Sequence, residues 1–535
     1  MLTLDSAVPQ ADCLAVMDGR ILHTGMFEEV AADLIGSSPV VDDSFGDKVI
    51  VPGFIEGHTH ILEEGAIARF PWIGSYDRRT PDGGVQKGCP DHASALDRIA
   101  RAVAETTERT GIVTCLGWDA DMADSPGITR AMLDAISTDM PIFVLQSNGH
   151  VGHVNSAMLA RAGISRDSGE HGIVRDANGE PTGELREMAL AMVIGPHVQL
   201  DAGGRRTAMD AALLARRAGC TTVTDLAFAA TTGAIGEYAE WVDDPGFGAR
   251  VVYAPLIQLL DMIHDGDVPD HVAGLRSHDS DKFRMGPVKF VIDGSIQGRT
   301  ARLNWPGYCC GSPNGEWLLD PEEMHLAMLP YHRAGHQLAL HTNGDEAIDR
   351  GLDVYARLLN EHPRFDHRHR LEHVQMASDE AFMRMRALGV AANLFVNHVY
   401  YWGETHRRGT MGPAKARRID ATATALRLGV PFSMHSDAPV TPVDPLFTMW
   451  CAVNRLTSAG NVLGPAERIG ALDALRAMTI DSAWLLHLDR EIGSIEVGKR
   501  ADLAVLDADP TAVDPFSIRD IGVSATVLGG TVFEA

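Results

Sequence analysis

A (β/α)8 TIM barrel with a large insertion after its first strand, joined to a small β-sandwich built from both chain ends, is the α/β fold this sequence predicts. Three observations carry that expectation. Eight short apolar or β-branched runs alternate with helix-like stretches. The segment between the first and second runs is far too long for one βα unit. The first and last ~50 residues alternate like exposed strands broken by Gly turns.

In chain order, the first run is "DKVIVPGFIEG", closed by Pro and Gly and ending in His58-Thr59-His60. The next three are "GCTTVTDLA" from Gly219, "ARVVYAPLI" from Ala249 and "GPVKFVIDGS" from Gly286. "HQLALHTNGD" from His336, "HRLEHVQ" from His369, "GVAANLFVNH" from Gly389 and "VPFSMHSDAP" from Val430 complete the eight. Between them, "DEAIDRGLDVYARLLNEH" and "DEAFMRMRALG" repeat apolar residues at three-to-four spacing, the period of a half-buried helix. The barrel is expected over 53–484, with 66–205 an inserted α/β subdomain. That insertion holds a helix in "DHASALDRIARAVAETTERTG" and a strand in "MPIFVLQS". Residues 1–52 and 485–535 are expected to pair into the composite β-sandwich, which would bring the termini together.

Composition bounds the function. With 45% hydrophobic and 22% charged residues in 535, the chain can bury a large core. A formal charge of −26 repels phosphate, so nucleic acid and anionic membranes are poor partners. The longest apolar runs fall well short of the ~20 residues that span a bilayer. "MLTLDSAVPQADCLAV" has no basic region before an apolar stretch, so no signal peptide is expected. Seven cysteines without a CxxC make no disulfide framework, and a reducing cytoplasm is the simplest compartment. The close pair Cys309-Cys310 reads as two core or surface thiols. "HRRGTMGPAKARR" is locally basic and reads as a solvated loop or a subunit contact, which leaves a homo-oligomer such as a dimer open.

The 23 histidines would give roughly one H-x-H pair by chance, and two occur. Context separates them. His58 and His60 end a strand, where side chains two apart point the same way and both rings can reach one ion. His367 and His369 lie in polar "HPRFDHRHRLEH" and read as a solvated loop. Along the other runs, Lys289 lies in the fourth, His341 ends the fifth, His373 lies in the sixth and Asp437 ends the eighth. Barrel sites form at the C-terminal strand ends, so these residues are expected to converge. Four imidazoles and a carboxylate suit a divalent ion such as Zn²⁺ with an open water position.

The ordered motifs "PGFIEGHTH", "VKFVIDGS", "LALHTNGD", "RLEHVQ" and "HSDAPV", closed by "GSIEVGKRADLAVLD", resemble the amidohydrolase superfamily. More narrowly, they are similar to its family 3 branch (YtcJ-like), which includes N-substituted formamide deformylases, and "FVNHVYYWGETHRRGTMGP" also looks like a segment of that branch. The resemblance covers nearly the whole chain. It implies that His58 and His60 hold the more buried ion with Asp437, that His341 and His373 hold a second, and that Lys289, N6-carboxylated, bridges them. One or two ions fit the resemblance. Glu184 or Glu187 in "PTGELRE" stands as the alternative carboxylate. A carbamate would replace an ammonium, unfavourable beside cations, with anionic oxygens.

The function expected from this is hydrolysis of a C–N bond in an amide or N-substituted formamide-like small molecule. A metal-activated hydroxide would attack, with Asp437 as general acid/base. Ester or lactone hydrolysis, deamination and iron-dependent oxygen chemistry are the alternatives that keep the same site, and a non-catalytic binding protein is the alternative that does not. Family-like segments place Trp118 and Asp119, and His150, His153 and Asn155, near the substrate. His398, Tyr400, Tyr401 and Trp402 follow the seventh run, where aromatics could wall an apolar substituent. Arg299 and Asn343 could orient the carbonyl.

Overall fold

The structure, a computed structural model, describes residues 1–36, 38–107, 111–118, 127–147, 149–198, 204–228, 231–264 and 266–535. Nine short parallel strands frame the centre: β1 (Phe54–Ile55), β2 (Cys220–Phe228), β3 (Arg250–Pro255), β4 (Phe283–Met285), β5 (Val288–Val291), β6 (Leu338–Thr342), β7 (Arg370–His373), β8 (Ala391–Leu394) and β9 (Phe432–Met434). They form two parallel arcs, β4-β3-β2-β1 and β5-β6-β7-β8-β9. The fourth expected strand, from Gly286, is β5; β4 is a further strand just before it, separated by Gly286-Pro287, where proline has no N–H for the ladder. A parallel bridge between Leu256 and Lys289 joins the arcs on that flank. On the other flank, the Asp437 N–H donates to the His58 carbonyl (3.2 Å), and the His60 N–H donates to Ala438 (2.6 Å). The expected strands thus neighbour one another in chain order.

The strands are nearly continuous apolar runs because helices cover their outer face. Helix Asp345–Glu361 buries Ala347, Ile348, Leu352, Tyr355 and Leu358 on one stripe. Helix Asp379–Leu388 starts where Ser378 accepts the Ala381 N–H and stops at Gly389, whose φ of 70° is the left-handed conformation glycine tolerates. Phe290, Leu340, Leu371, Leu394 and Met434 lie in the same core, all fully buried.

The stretch after β1 builds a separate five-stranded sheet in the order 173–175, 181–186, 151–154, 142–145, 113–116. Helix His92–Glu105 packs on it, with Asp91 accepting the Ser94 N–H at its start. The chain ends share another sheet: Val49–Pro52 pairs antiparallel with Leu503–Leu506, which continues through Val523–Leu528 to Thr531–Glu534. No helix among the described residues is long and apolar enough to cross a membrane.

Two expectations need correction. His367 and His369 are not solvated: both are buried where the chain enters β7. Each is accepted there as a neutral ring with both nitrogens hydrogen-bonded. The basic stretch from His406 is not a loop but helical, over His406–Thr410 and Gly412–Ala416. Its charges are used within the chain: Arg407 and Arg408 pair with Glu404, and Lys415 with Asp345.

Candidate metal centre

His58 and His60 directly follow β1, and His60 opens helix Ile61–Ile67. Lys289 lies in β5 and His341 in β6, while His373 closes β7. His435 and Asp437 follow β9. Apart from Lys289, the second residue of β5, all stand at or beyond the C-terminal ends of the parallel strands. Non-glycine residues seldom adopt positive φ, yet His373 (68°) and Asp437 (53°) both do, which marks the site backbone as locally strained.

Asp437 sits at the middle of the cluster. Its Oδ1 lies 3.2 Å from Nε2 of His58 and 3.5 Å from Nε2 of His60, and its Oδ2 lies 3.7 Å from Nδ1 of His373. His58 spends Nδ1 on Glu372 (2.7 Å), and His373 shares Nε2 with Nδ1 of His341 (2.9 Å). Nε2 of His58, Nδ1 of His373, both nitrogens of His435 and Oδ1 of Asp437 are buried without a hydrogen-bond partner. Donor atoms of His58, His373, His435 and Asp437 lie within 4.8 Å of one another, so these four could hold a metal ion. Buried, unspent imidazole nitrogens beside a carboxylate are the donor set a borderline divalent cation takes.

Burial dominates the electrostatics. It drives the His58, His341 and His373 rings well below the ordinary histidine range, with the Lys289 charge adding to each. Neutral imidazole is the form that ligates. Burial also brings the Lys289 ammonium down to about 8, against the pull of Glu372 and Asp437. The Lys289 side chain makes no hydrogen bond or ion pair among the described residues. Burial pushes the Asp437 carboxyl up, but the close approach of His60 and the His60, His435 and Lys289 charges hold it below its usual value. Glu56, buried beneath the Ser436 N–H that it accepts, is pushed up to about 8 by desolvation.

A cavity of about 330 Å³ opens from this cluster toward the inserted sheet. His58, His60, Lys289, His341, His373 and Asp437 form one end, and Trp72, Leu116, Leu145, Leu226, Leu256 and Val291 make its apolar walls. His150 also lines it, with Nδ1 2.8 Å from Glu187. Asn343 and His398 line a smaller adjoining space of about 20 Å³ behind the same residues. Asn343 donates to the Gly294 carbonyl (2.8 Å).

Other expected contacts fall elsewhere. Trp118 is fully buried among Ile73, Ile99 and Leu133, in the core of the insertion. Asn155 caps helix Ser156–Arg161, accepting from Met158 and Ile142 and donating to Ser137 and Met140, so its amide is wholly spent on the fold. His153 pairs with Gln146. Tyr401 packs on Tyr76, Trp402 on His398 and Tyr400 on Phe447, one layer behind the cavity. Arg299 is not among the cavity's lining residues, and its charge acts on Tyr308 and Cys310. Asp119 lies outside the described residues. Neither alternative carboxylate faces the cluster: Glu184 pairs with Arg186, and Glu187 stands behind His150.

Two residues at the centre escaped the sequence reading. His435 stands two before Asp437, the same spacing that singled out His58 and His60. Glu372 is the neighbour of His373 in "RLEH", and only the register of β7 against β6 and β8 shows that it faces His58.

Parallel strands thus gather imidazoles and an aspartate around one cavity, with donor atoms placed so that they could hold a metal ion. The chain belongs to the amidohydrolase family, whose model, described as "Amidohydrolase family", matches residues 46–533. It is 27% identical to a Bacillus subtilis (strain 168) protein designated amidohydrolase YtcJ, over 98% of this chain and 96% of that protein. It is 28% identical to the N-substituted formamide deformylase of Arthrobacter pascens, over 99% and 96%. In fold it is similar to an uncharacterized metal-dependent hydrolase from Pyrococcus horikoshii OT3, with a TM-score of 0.72 at 21% identity, covering 94% of each chain.

Proposed function

We propose that this protein is a metal-dependent hydrolase of a C–N bond in a small amide or N-substituted formamide. One observation carries the reading: the unspent donor atoms of His58, His373, His435 and Asp437 are buried together, and His58, His373 and Asp437 line one end of a cavity with largely apolar walls. The similarity to a formamide deformylase supports the bond type. In the same reading the two parallel arcs are halves of one closed barrel, and 1–52 with 485–535 form its companion β-sandwich.

A bound divalent cation, of which zinc suits this donor set, supplies Lewis acidity that makes water a nucleophile near neutral pH and polarises a carbonyl. The chain's own residues do the rest. Asp437, beside His60, accepts the proton of the attacking water and returns it to the leaving nitrogen. His150, its Nδ1 anchored by Glu187, stands on the cavity wall to hold the carbonyl oxygen. The leucines and Val291 receive the nitrogen substituent and exclude bulk water, strengthening every charge interaction inside. Lys289, carboxylated, is the anionic residue beside His341.

The experiment is a substrate panel on zinc-loaded protein: N-substituted formamides, larger amides, esters, lactones and amino-heterocycles, with released amine measured chromatographically. Release of amine from a formamide or amide, abolished by chelation and restored by metal, is the expected result. Turnover confined to esters, lactones or deaminated rings overturns the assignment.

A further inference from the structure

The cavity carries a cationic side chain that the metal centre does not use. Arg78 lines it, yet its side chain is only 3% exposed. The guanidinium is held from two sides. Nη2 donates to Oε2 of Glu64, itself buried, on the helix that His60 opens. Cζ stands 4.7 Å from the centre of the Trp72 ring. The backbone of Arg78 belongs to a short hairpin of the insertion, Arg78–Arg79 against Val85–Gln86, so the ion pair ties that hairpin to the barrel. That tie takes one nitrogen. Nε and Nη1 are buried as well, and neither meets an acceptor among the described residues. Ser147, also from the insertion and also lining the cavity, keeps its hydroxyl buried and unmet. A guanidinium offers donors only, and donors kept from water without an acceptor are unfavourable, so proteins keep them where something else completes them.

We propose that Arg78 determines specificity: Nε and Nη1 receive an uncharged oxygen acceptor, such as a carbonyl or an ether, at the end of the substrate's nitrogen substituent remote from the scissile bond. The inference rests on the hydrolase reading above and narrows its substrate class. A cavity of about 330 Å³ is on the scale of sites that enclose a whole small molecule, so the substituent has room to extend past the metal end. Charge decides between acceptors. Glu64 already balances the guanidinium, and Glu63 brings a second carboxyl to the same cavity. An anionic tail would be desolvated against a cation whose charge is already matched. A neutral oxygen gains the charge-assisted hydrogen bond without that cost.

Hydroxamic acids bind a hydrolase's zinc without being turned over, so their tails report on Arg78 by calorimetry on the zinc-loaded protein. Tails of equal length ending in an alkyl group, a methyl ketone or a carboxylate are compared over a series of spacer lengths. At the best spacer the ketone is expected to bind about 10–100-fold more tightly than the alkyl tail, and more tightly than the carboxylate. Arg78→Lys keeps a cation facing Glu64 but has no Nε or Nη1 to offer, and the ketone's advantage should vanish. Arg78→Met combined with Glu64→Leu removes the pair without leaving a buried charge alone, and should erase it too. That double variant covers the case in which Arg78→Lys folds poorly. A residue that only tied the hairpin down would leave the ratio between tails unmoved. A ketone no tighter than the alkyl tail at every length, an advantage kept in both variants, or a carboxylate that binds tightest overturns the proposal while the hydrolase reading stands. Wild type that takes up no zinc, or that binds no hydroxamate once loaded, overturns both.

Discussion

Nδ1 of His58 lies 2.7 Å from Oε2 of Glu372, and neither side chain is exposed to solvent. An ionised carboxylate can only accept, so this contact places the ring proton on Nδ1. The lone pair of Nε2 is then turned toward Asp437, 3.2 Å away. Glu372 is fixed in turn by Arg370 and by the Asn393 amide (2.9 Å). Glu372→Gln is therefore expected to weaken zinc binding about 10–100-fold while leaving the full complement recoverable at high zinc. Chelator competition measures this, and an unchanged affinity would remove Glu372 from the centre's machinery.

Asp437 is expected to separate chemistry from metal retention. Asp437→Asn keeps an oxygen donor at the same place but cannot take a proton, so bound zinc should stay near the wild-type level. Turnover should fall by about 10²–10⁴-fold. In the wild type the carboxylate is held below its usual range, so activity should persist into mildly acid solution and fail only when Asp437 protonates. Parallel rate–pH and metal assays decide the matter; a fully active Asn variant takes the acid/base role away from this residue.

Much of this centre was legible in the sequence because each expected ligand closes or sits in a short apolar run, and the strand period alone puts such residues at one rim. His58, His60, Lys289, His341, His373 and Asp437 do line one cavity. What escaped depends on register and packing. Glu372 is an ordinary inward-facing residue until β7 is set against β8, where it lies opposite Asn393. His435 passed as part of the Asp437 motif, since nothing local says which rings keep unspent nitrogens. Trp118 and Asn155 went the other way: their segment borders the cavity through Leu116, Gly117, Gln146 and Ser147, while these two side chains turn into the insertion's own core.

Lys289 offers a chemical prediction. Burial lowers its ammonium to about 8, so a sizeable neutral fraction exists at ordinary pH, and only a neutral amine adds carbon dioxide. Zinc loading in the presence of ¹³C-bicarbonate is expected to produce one carbamate carbon signal per chain, absent in Lys289→Met. Bicarbonate-free loading should leave the wild type with a reduced metal affinity that added bicarbonate restores. A spectrum without the carbamate carbon, together with bicarbonate-independent loading, would mean that Lys289 serves as a plain amine.

The buried histidines below β7 predict how the fold responds to acid. His332 donates through Nε2 to the His362 carbonyl (2.8 Å) and shares Nδ1 with Nε2 of His369 (2.9 Å). His369 accepts the Leu338 N–H at Nδ1 (3.0 Å), and His367 accepts the His369 N–H while pairing with the Leu388 carbonyl. Every ring nitrogen is spent, and only the neutral rings satisfy the pattern. Burial accordingly lowers all three from their ordinary range. Below about pH 6.5 the unfolded chain takes up protons that the folded chain refuses, so stability falls as pH drops through that value. The slope is about 1.4 kcal/mol per pH unit for each ring still neutral in the fold. His367→Asn keeps the acceptor for the His369 N–H but cannot titrate, and should lose less of its thermal midpoint between pH 7 and pH 5 than the wild type. Both proteins are stripped of metal first, so that ligand protonation contributes equally to each. Equal losses in the two would place the acid sensitivity outside this chain of rings.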